Sequence, residues 1–413
     1  NVSGSVTEAL EYLEVNTGGN ANATATIAVN ANLKEYLGKG SGKDILTVSG
    51  TSATVEKINT GAGDDKLDIS GTSGAIVNIA NATINLGAGD DTLKVRYANI
   101  SGANIDLGAG NDTIDIASIL NPNYLKGTTI DGGAGRDTML VIGNTVPFDP
   151  NAVGLTLKNI EVLQAKGQDA KASKLSVSAV NGQELTLTKN SPSNGTLEIV
   201  ATNKETNIDL SKLNTKVVGN EVALDKLTLS DVGSGTTTGV TVKLTAKDAN
   251  IKETIKLAAD AGGYNKVTIT GIASGDILDL SGITALSGKT VSGAGASSAF
   301  DVVPNKSSAA LVAQKAYYFD SALTTDGDLM NSALVATALA TATKGGTTSG
   351  DKSIIAVNNS DKTKSAIYLF TSNNNSDILD TELTLLAVVD NAINGSDKMT
   401  AGTGGSGGDI TFA

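Results

Sequence analysis

The pattern Gly-x-Gly-x-Asp-x-apolar-x-apolar occurs five times in this chain, always in the same frame. The copies are "GSGKDILTV" from Gly40, "GAGDDKLDI" from Gly61, "GAGDDTLKV" from Gly87, "GAGNDTIDI" from Gly108 and "GAGRDTMLV" from Gly133. Their first glycines lie 21, 26, 21 and 25 residues apart. A period of that size marks a solenoid in which each repeat makes one coil. Each coil has room for two or three short strands. One follows the glycines, as in Leu67-Asp68-Ile69, and one precedes them, as in Ile105-Asp106-Leu107. Their alternation of apolar and polar residues suits half-buried strands. Stacking aligns the apolar residues into continuous ladders.

Composition agrees with such a core. Hydrophobic residues make up 40% of the 413, but aromatics only 3%, with no Trp. Large rings dominate most globular cores, whereas ladders need Ile, Val, Leu and Ala. The net charge of -12 argues against nucleic acid, which needs clustered Lys and Arg. The chain has no Cys and no His. That removes disulfides, thiolate chemistry, the usual general base and the commonest transition-metal ligand. Hydrolytic zinc sites and Ser-His-Asp triads are excluded within this chain. No nucleophile-base pair stands out, and the chain is read as a non-enzyme. No apolar run is long enough to span a bilayer. The start, "NVSGSVTEALEYLEV", has no Met, basic region or apolar stretch, so a fragment or processed product is expected.

The repeated corner carries the chemistry. Glycines at the first and third positions can take φ > 0 and turn backbone carbonyls toward one point. The motif aspartates are Asp44, Asp65, Asp91, Asp112 and Asp137. Stacked coils would set them about 4.8 Å apart. Carboxylates that close repel each other, and a hard divalent cation between coils removes the repulsion. Calcium takes six to eight oxygen ligands of this kind, while magnesium keeps its water and demands strict octahedral geometry. For a single copy, a plain Gly/Asp turn is the better reading. Five copies in one frame favour calcium. A phosphate-binding loop is rejected, because no copy runs into Gly-Lys-Ser/Thr or opens a helical pattern.

These loops resemble the glycine- and aspartate-rich RTX repeats, which form a calcium-binding parallel β-roll. The resemblance implies that the five aspartates are calcium ligands. It also implies that Gly40, Gly42, Gly61, Gly63, Gly87, Gly89, Gly108, Gly110, Gly133 and Gly135 supply the loop backbone. Asp64, Asp90 and Asn111, directly before three of those aspartates, join the candidate set. Two features depart from the family. Its repeats run in tandem every nine residues, and its leading double glycine survives here only at Gly132-Gly133. Extracellular modules bind calcium at roughly 10⁻⁴ to 10⁻³ M. At ten times the dissociation constant each site adds about 1.4 kcal/mol. Four inter-coil sites would then add about 6 kcal/mol, the scale of a whole domain's stability.

Residues 150–282 hold short alternating stretches such as "GVTVKLTAK" and "NKVTITGI", separated by turn signals. They read as a β-rich domain or a continuation of the solenoid. "GIASGDILDLSGI" from Gly271 looks like a degenerate repeat, with Asp276 and Asp279 as further candidate ligands. Residues 283–299 read as a Gly/Ser/Ala linker. In residues 300–413, "DGDLMNSALVATALATA" reads as a helix behind an Asp326 cap, and "KSIIAVNNSDKTKSAIYLF" as a hairpin. "DTELTLLAVVDNAI" reads as a short helix capped by Asp380. Tyr317, Tyr318, Phe319, Tyr368 and Phe370 read as a small local core. The texture of this last region resembles the uncleaved secretion signals of RTX proteins exported by the type I pathway.

The expected fold is therefore mainly β. A parallel β-roll or β-helix solenoid with calcium-binding loops spans residues 1–149, and a small α+β secretion or capping region spans 300–413. The resemblance implies a structural, surface-layer (S-layer) protein of the bacterial cell surface, secreted by type I machinery and folding with Ca2+. Its implied partners are further copies of itself in a surface array. Outer-membrane lipopolysaccharide is also implied, through an N-terminal region outside this sequence. Two alternatives stand beside it: the calcium-binding export module of a secreted enzyme, and a fragment of an RTX adhesin or toxin.

Overall fold

A computed structural model describes residues 2–20, 22–50, 53–119, 121–141, 148–165, 173–189, 196–201, 205–214, 222–224, 226–232, 239–245, 253–258, 267–281, 298–299, 301–303, 316–323, 328–339, 349, 351–373, 378–391, 393, 397–401 and 408–412. The fold is mainly β, a parallel β-solenoid of about nine turns. Two compact units share the chain. One comprises residues 1–179, 184–197 and 214–225, the other residues 180–183, 198–213 and 226–413.

In the first unit every coil sends one strand to each of two sheets. The first sheet runs Val2–Val6, Thr24–Val29, Lys43–Ser49, Lys66–Ser70, Thr92–Arg96, Thr113–Ser118, Thr138–Val141, Val162–Ala165 and Thr186–Lys189, and ends on Val222–Ala223. All its pairings are parallel except the last. The second sheet runs Leu10–Gly18, Leu33–Gly40, Val55–Asn59, Thr83–Asn85, Asn104–Asp106, Thr129–Asp131 and Thr156–Lys158, again parallel. The parallel pairing thus continues past residue 149.

Register explains why the sequence stacks. Leu46, Leu67, Leu93, Ile114, Met139, Leu163 and Leu187 lie directly over one another on the first sheet. Tyr36, Ile58, Ile84, Ile105 and Ile130 do the same on the second. All twelve are buried. Each fully buried side chain of this size is worth about 1.5–3 kcal/mol relative to exposure. A slip of one residue would turn a whole column outward. At the corner opposite the glycine loops the chain turns through left-handed residues, Asn81, Gly102, Gly127 and Gly154, with φ of 61°, 72°, 69° and 66°. The motif gives no hint of this second corner.

In the second unit, parallel ladders join Lys226–Val232, Glu253–Leu257 and Ile277–Asp279, and likewise Asn207–Asp209, Val240–Lys243 and Val267–Thr270. The C-terminal strand Gly408–Thr411 closes onto Ile277–Asp279 in antiparallel register, with Ile410 and Phe412 buried. The expected hairpin is present: Lys352–Asn359 pairs antiparallel with Ser365–Thr371. The expected helix is Ser332–Ala338, capped by Asn331, whose Oδ1 accepts from the Ala333 and Leu334 N–H groups. Asp326 and residues 283–297 of the expected linker lie outside the described residues. Tyr317, Phe319, Tyr368 and Phe370 belong to one buried cluster with Leu329, Val335 and Leu339 from the helical segment.

One expectation is overturned. The stretch Leu383–Val389 is a strand, not a helix, and Asp380–Glu382 before it is a single 3-10 turn. The strand lies between Ser365–Thr371 and Val267–Thr270. Six of its seven residues are buried. The run is apolar at every position but Thr384, and the periodicity of such a run cannot separate a buried helix from a strand covered on both faces.

Candidate metal centre

The motif glycines have the backbone expected of them. Gly61, Gly87, Gly108 and Gly133 have φ of 96°, 104°, 110° and 93°. Gly63, Gly89, Gly110 and Gly135 have φ of 120°, 135°, 141° and 146°. The first copy differs: Gly40 has φ of 103°, while Gly42 does not share the left-handed conformation. The loop carbonyls do not converge on one point. They run along the stack, where the N–H groups of Ala88, Ala109 and Ala134 donate to the carbonyls of Gly61, Gly87 and Gly108 at 2.8–3.0 Å. The N–H groups of Gly63, Gly89 and Gly110 donate to Ala88, Ala109 and Ala134 at 2.7–2.9 Å. The coils approach so closely that a Cβ on Gly87, Gly108 or Gly133 would fall on the carbonyl of the preceding coil's glycine. Close stacking by itself therefore demands these glycines.

The five motif aspartates form one buried column, each 0–1% exposed. From Asp65 on, each carboxylate reaches back to the previous coil. The Asp44 N–H donates to Asp65 Oδ1, that of Asp65 to Asp91 and that of Asp91 to Asp112, all at 2.7 Å. The Asp112 N–H donates to Asp137 at 2.8 Å, and the Asp137 N–H donates to Glu161 Oε2 at 2.8 Å. Glu161 is thus a sixth member that the motif search missed, because no glycine pair precedes it. Its signal is position: it stands 24 residues after Asp137, directly before the aligned strand Val162–Ala165. Tyr36 was missed as well. It stands in the isoleucine column and donates its hydroxyl to Asp44 Oδ2 at 2.8 Å.

One oxygen of each aspartate finds no such partner. These are Asp44 Oδ1 and the Oδ2 atoms of Asp65, Asp91, Asp112 and Asp137, all buried. The Thr60 hydroxyl beside Asp65 gives its proton to the Leu86 carbonyl at 2.7 Å. A buried, unsatisfied carboxylate oxygen is costly. Burial pushes Asp65 up to about 7, Asp91 up to about 8 and Asp112 up to about 6. Neighbouring carboxylates push the same way, Asp44 and Asp64 on Asp65, and Asp65, Asp112 and Asp64 on Asp91. Burial raises Asp44 and Asp137 too.

These aspartates hold a proton more tightly folded than unfolded, where the value is 3.8. Without divalent ions, the stability they give is fully present below about pH 4 and is lost as pH rises through about 8. Thermal melts of chelator-treated protein should fall steadily from pH 5 to pH 9. A flat profile would contradict the buried column.

The other candidates lie outside the column. Asp64 Oδ1 accepts from the Asp90 N–H at 3.0 Å, Asp90 Oδ1 from the Asn111 N–H at 2.7 Å, and Asn111 Oδ1 from the Arg136 N–H at 3.1 Å. This outer ladder runs in the opposite sense to the inner one. In the second unit Asp276 repeats the inner arrangement. It is buried and accepts from the Glu253 N–H at 3.0 Å. Its second oxygen accepts from the Ala273 N–H at 2.8 Å, so neither oxygen is without a hydrogen-bond partner. Asp279 sits opposite Asp409 on the closing strand.

Among the described residues, no three acidic side chains converge to hold a metal ion. The groups that would hold calcium are the leftover carboxylate oxygens of the five aspartates, which are hard donors of the kind calcium takes, with water to complete the shell. Nothing in the donor set favours a softer metal.

Fold and corner together define a parallel β-solenoid protein with a buried carboxylate column along one edge. No protein-family model, curated protein or solved structure matches the chain.

Proposed function

We propose that this chain is a structural protein of a bacterial cell surface, an RTX-type surface-layer protein exported by the type I route. Calcium outside the cell completes its fold and lets copies assemble into an array. The observation that carries the reading is the column of five buried aspartates, each with one oxygen left over. A bound calcium ion supplies positive charge between successive carboxylates. The chain's own residues do the rest. The Asp N–H groups aim one oxygen of Asp65, Asp91, Asp112 and Asp137 along the stack, and the glycines bring the coils within reach. The same demand that keeps coils loose at low calcium keeps an exported chain unfolded until it meets the outside. Acidity and the lack of His and Cys suit a scaffold rather than a catalyst.

The test is removal and return of calcium. Chelation should lower the melting temperature by about 10 °C, from a few kcal/mol of ion binding spread over a unit of this size. Millimolar calcium should restore it, and electron microscopy should then show ordered arrays. Equal melting in chelator and calcium would sink the calcium reading. Calcium-stabilised monomers without arrays would sink the surface-layer reading alone.

A further inference from the structure

The two sheets of the first unit begin on strands that pair on one side only. Val2–Val6 ends the first sheet and Leu10–Gly18 ends the second. Such an edge leaves half of its N–H and C=O groups open, and natural proteins blunt it with Lys, Pro or very short strands. Leu10–Gly18 has neither Lys nor Pro and, at nine residues, is the longest of the described strands. The core is open here as well. The column from Leu46 to Leu187 extends back through Ile27 to Gly4, which has no side chain to close it. On the second sheet, Leu13 lies over Tyr36 but is only half-buried, and Leu10 and Tyr12 are 41% and 45% exposed. Gly4, Val6, Glu8, Leu10, Leu13 and Ile27 line a notch of about 400 Å³. Charge says what fits there. Residues 1–33 hold three acids, Glu8, Glu11 and Glu14, and no Lys or Arg. From the next strand of the sheet, Lys34 reaches Glu11 at 3.2 Å and Lys39 reaches Glu14 at 3.0 Å. The edge strand therefore already holds one neighbour by lysine on glutamate outside and apolar on apolar within. Glu8, on the notch, has no ion pair among the described residues. Two copies meeting end to end on this face would set notch against notch and acid against acid.

We propose that this open end takes an extended, amphipathic, basic strand of another polypeptide, added to the edge of Leu10–Gly18 with its apolar side chains in the notch over Gly4 and Leu13. Main-chain bonds along the edge supply affinity, and the notch and Glu8 supply choice of partner. The inference goes beyond the surface-layer reading and does not depend on calcium, since no aspartate precedes Asp44.

The test uses the full chain and two labelled synthetic peptides, one alternating isoleucine and lysine, the other isoleucine and glutamate, with binding read by fluorescence anisotropy. The basic peptide should bind and slow amide hydrogen exchange along Leu10–Gly18, while the acidic one should bind about tenfold more weakly or not at all. Gly4→Leu fills the notch from within. A Cβ there meets only Ile27 Cδ1, at 3.8 Å, so the variant should melt no lower than the wild type yet lose about tenfold in affinity for the basic peptide. Glu8→Lys should weaken binding as well, and serves if Gly4→Leu does not fold. Glu56→Lys, on the exposed side of the third strand of the same sheet, should change nothing. Equal binding of the two peptides, or affinity indifferent to both Gly4→Leu and Glu8→Lys, would overturn the proposal. So would amides along Leu10–Gly18 already protected in the free chain, or dimers in sedimentation that Gly4→Leu abolishes, because either result means that the chain itself or a second copy covers this edge.

Discussion

Gly87→Ala should cost on the order of 4 kcal/mol of stability, a large share of what a domain has. Two separate causes add. Gly87 has φ of 104°, a conformation that L side chains rarely adopt, worth about 1–3 kcal/mol of strain. The new methyl would also land on the Gly61 carbonyl, which is backbone in the neighbouring coil and has no rotamer to escape through. Relief would have to come from prising two coils apart, and that would break the bond from the Ala88 N–H to the same carbonyl. Two other glycines separate the causes. Gly127 has φ of 69° with open space around its missing Cβ, so Gly127→Ala should cost only about 1–2 kcal/mol. Gly74 has open space and no left-handed backbone, so Gly74→Ala should be nearly neutral. Denaturant midpoints of the three variants should fall in that order. Equal losses at Gly87 and Gly127 would mean that the close approach of coils is wrong.

Asp91→Asn should reverse its effect with conditions. The carboxamide keeps an oxygen to accept the Asp65 N–H, now at 2.7 Å, but removes the charge and one leftover acceptor. In chelator at pH 9 the wild-type carboxylate is forced to ionise in its buried place. Its folded value of about 8 against 3.8 unfolded makes the variant more stable by up to about 5 kcal/mol. In millimolar calcium the order should invert, because the wild type alone offers the charged oxygen. Calcium uptake by the wild type should then release protons near pH 7. Glu253, buried in the second unit and pushed up to about 8, adds its own pH slope, which both proteins share. Asp68→Asn is the control: Asp68 is half-buried, bonded to Ser70 and paired with Arg96, and should show no inversion. Melting curves of the three proteins in chelator and in calcium decide the matter. Parallel behaviour of Asp91→Asn and Asp68→Asn would mean that the column needs no cation.

The five motif copies exposed the solenoid because their chemistry is local. A left-handed glycine and an inward acid must recur wherever coils stack at one corner, so the register of the first sheet could be read from Asp44 to Asp137. The opposite corner stayed hidden because Asn81, Gly102, Gly127 and Gly154 share a backbone conformation but no side-chain pattern. Glu161 was missed since its glutamate arm replaces both the aspartate and the glycine turn. Leu383–Val389 was misread for a different reason. Its ladder partners, Val267–Thr270 and Ser365–Thr371, are set by the tertiary fold, and a nearly all-apolar run signals burial without telling strand from helix. The direction of the loop carbonyls was also beyond reach. Composition can say that a glycine is free to turn, but only the neighbouring coil decides which way it turns.

The inner ladder has a direction, and that direction constrains how such a chain can be lengthened or cut. Each motif aspartate N–H is capped by an acid supplied from the following coil, so on this inner ladder a coil is finished by its successor, while the outer ladder runs the other way. Whole coils can be duplicated in the middle without leaving a donor stranded. Cutting away the successors strands one at the new end, unless the last remaining segment brings its own terminal acid, the part Glu161 plays now.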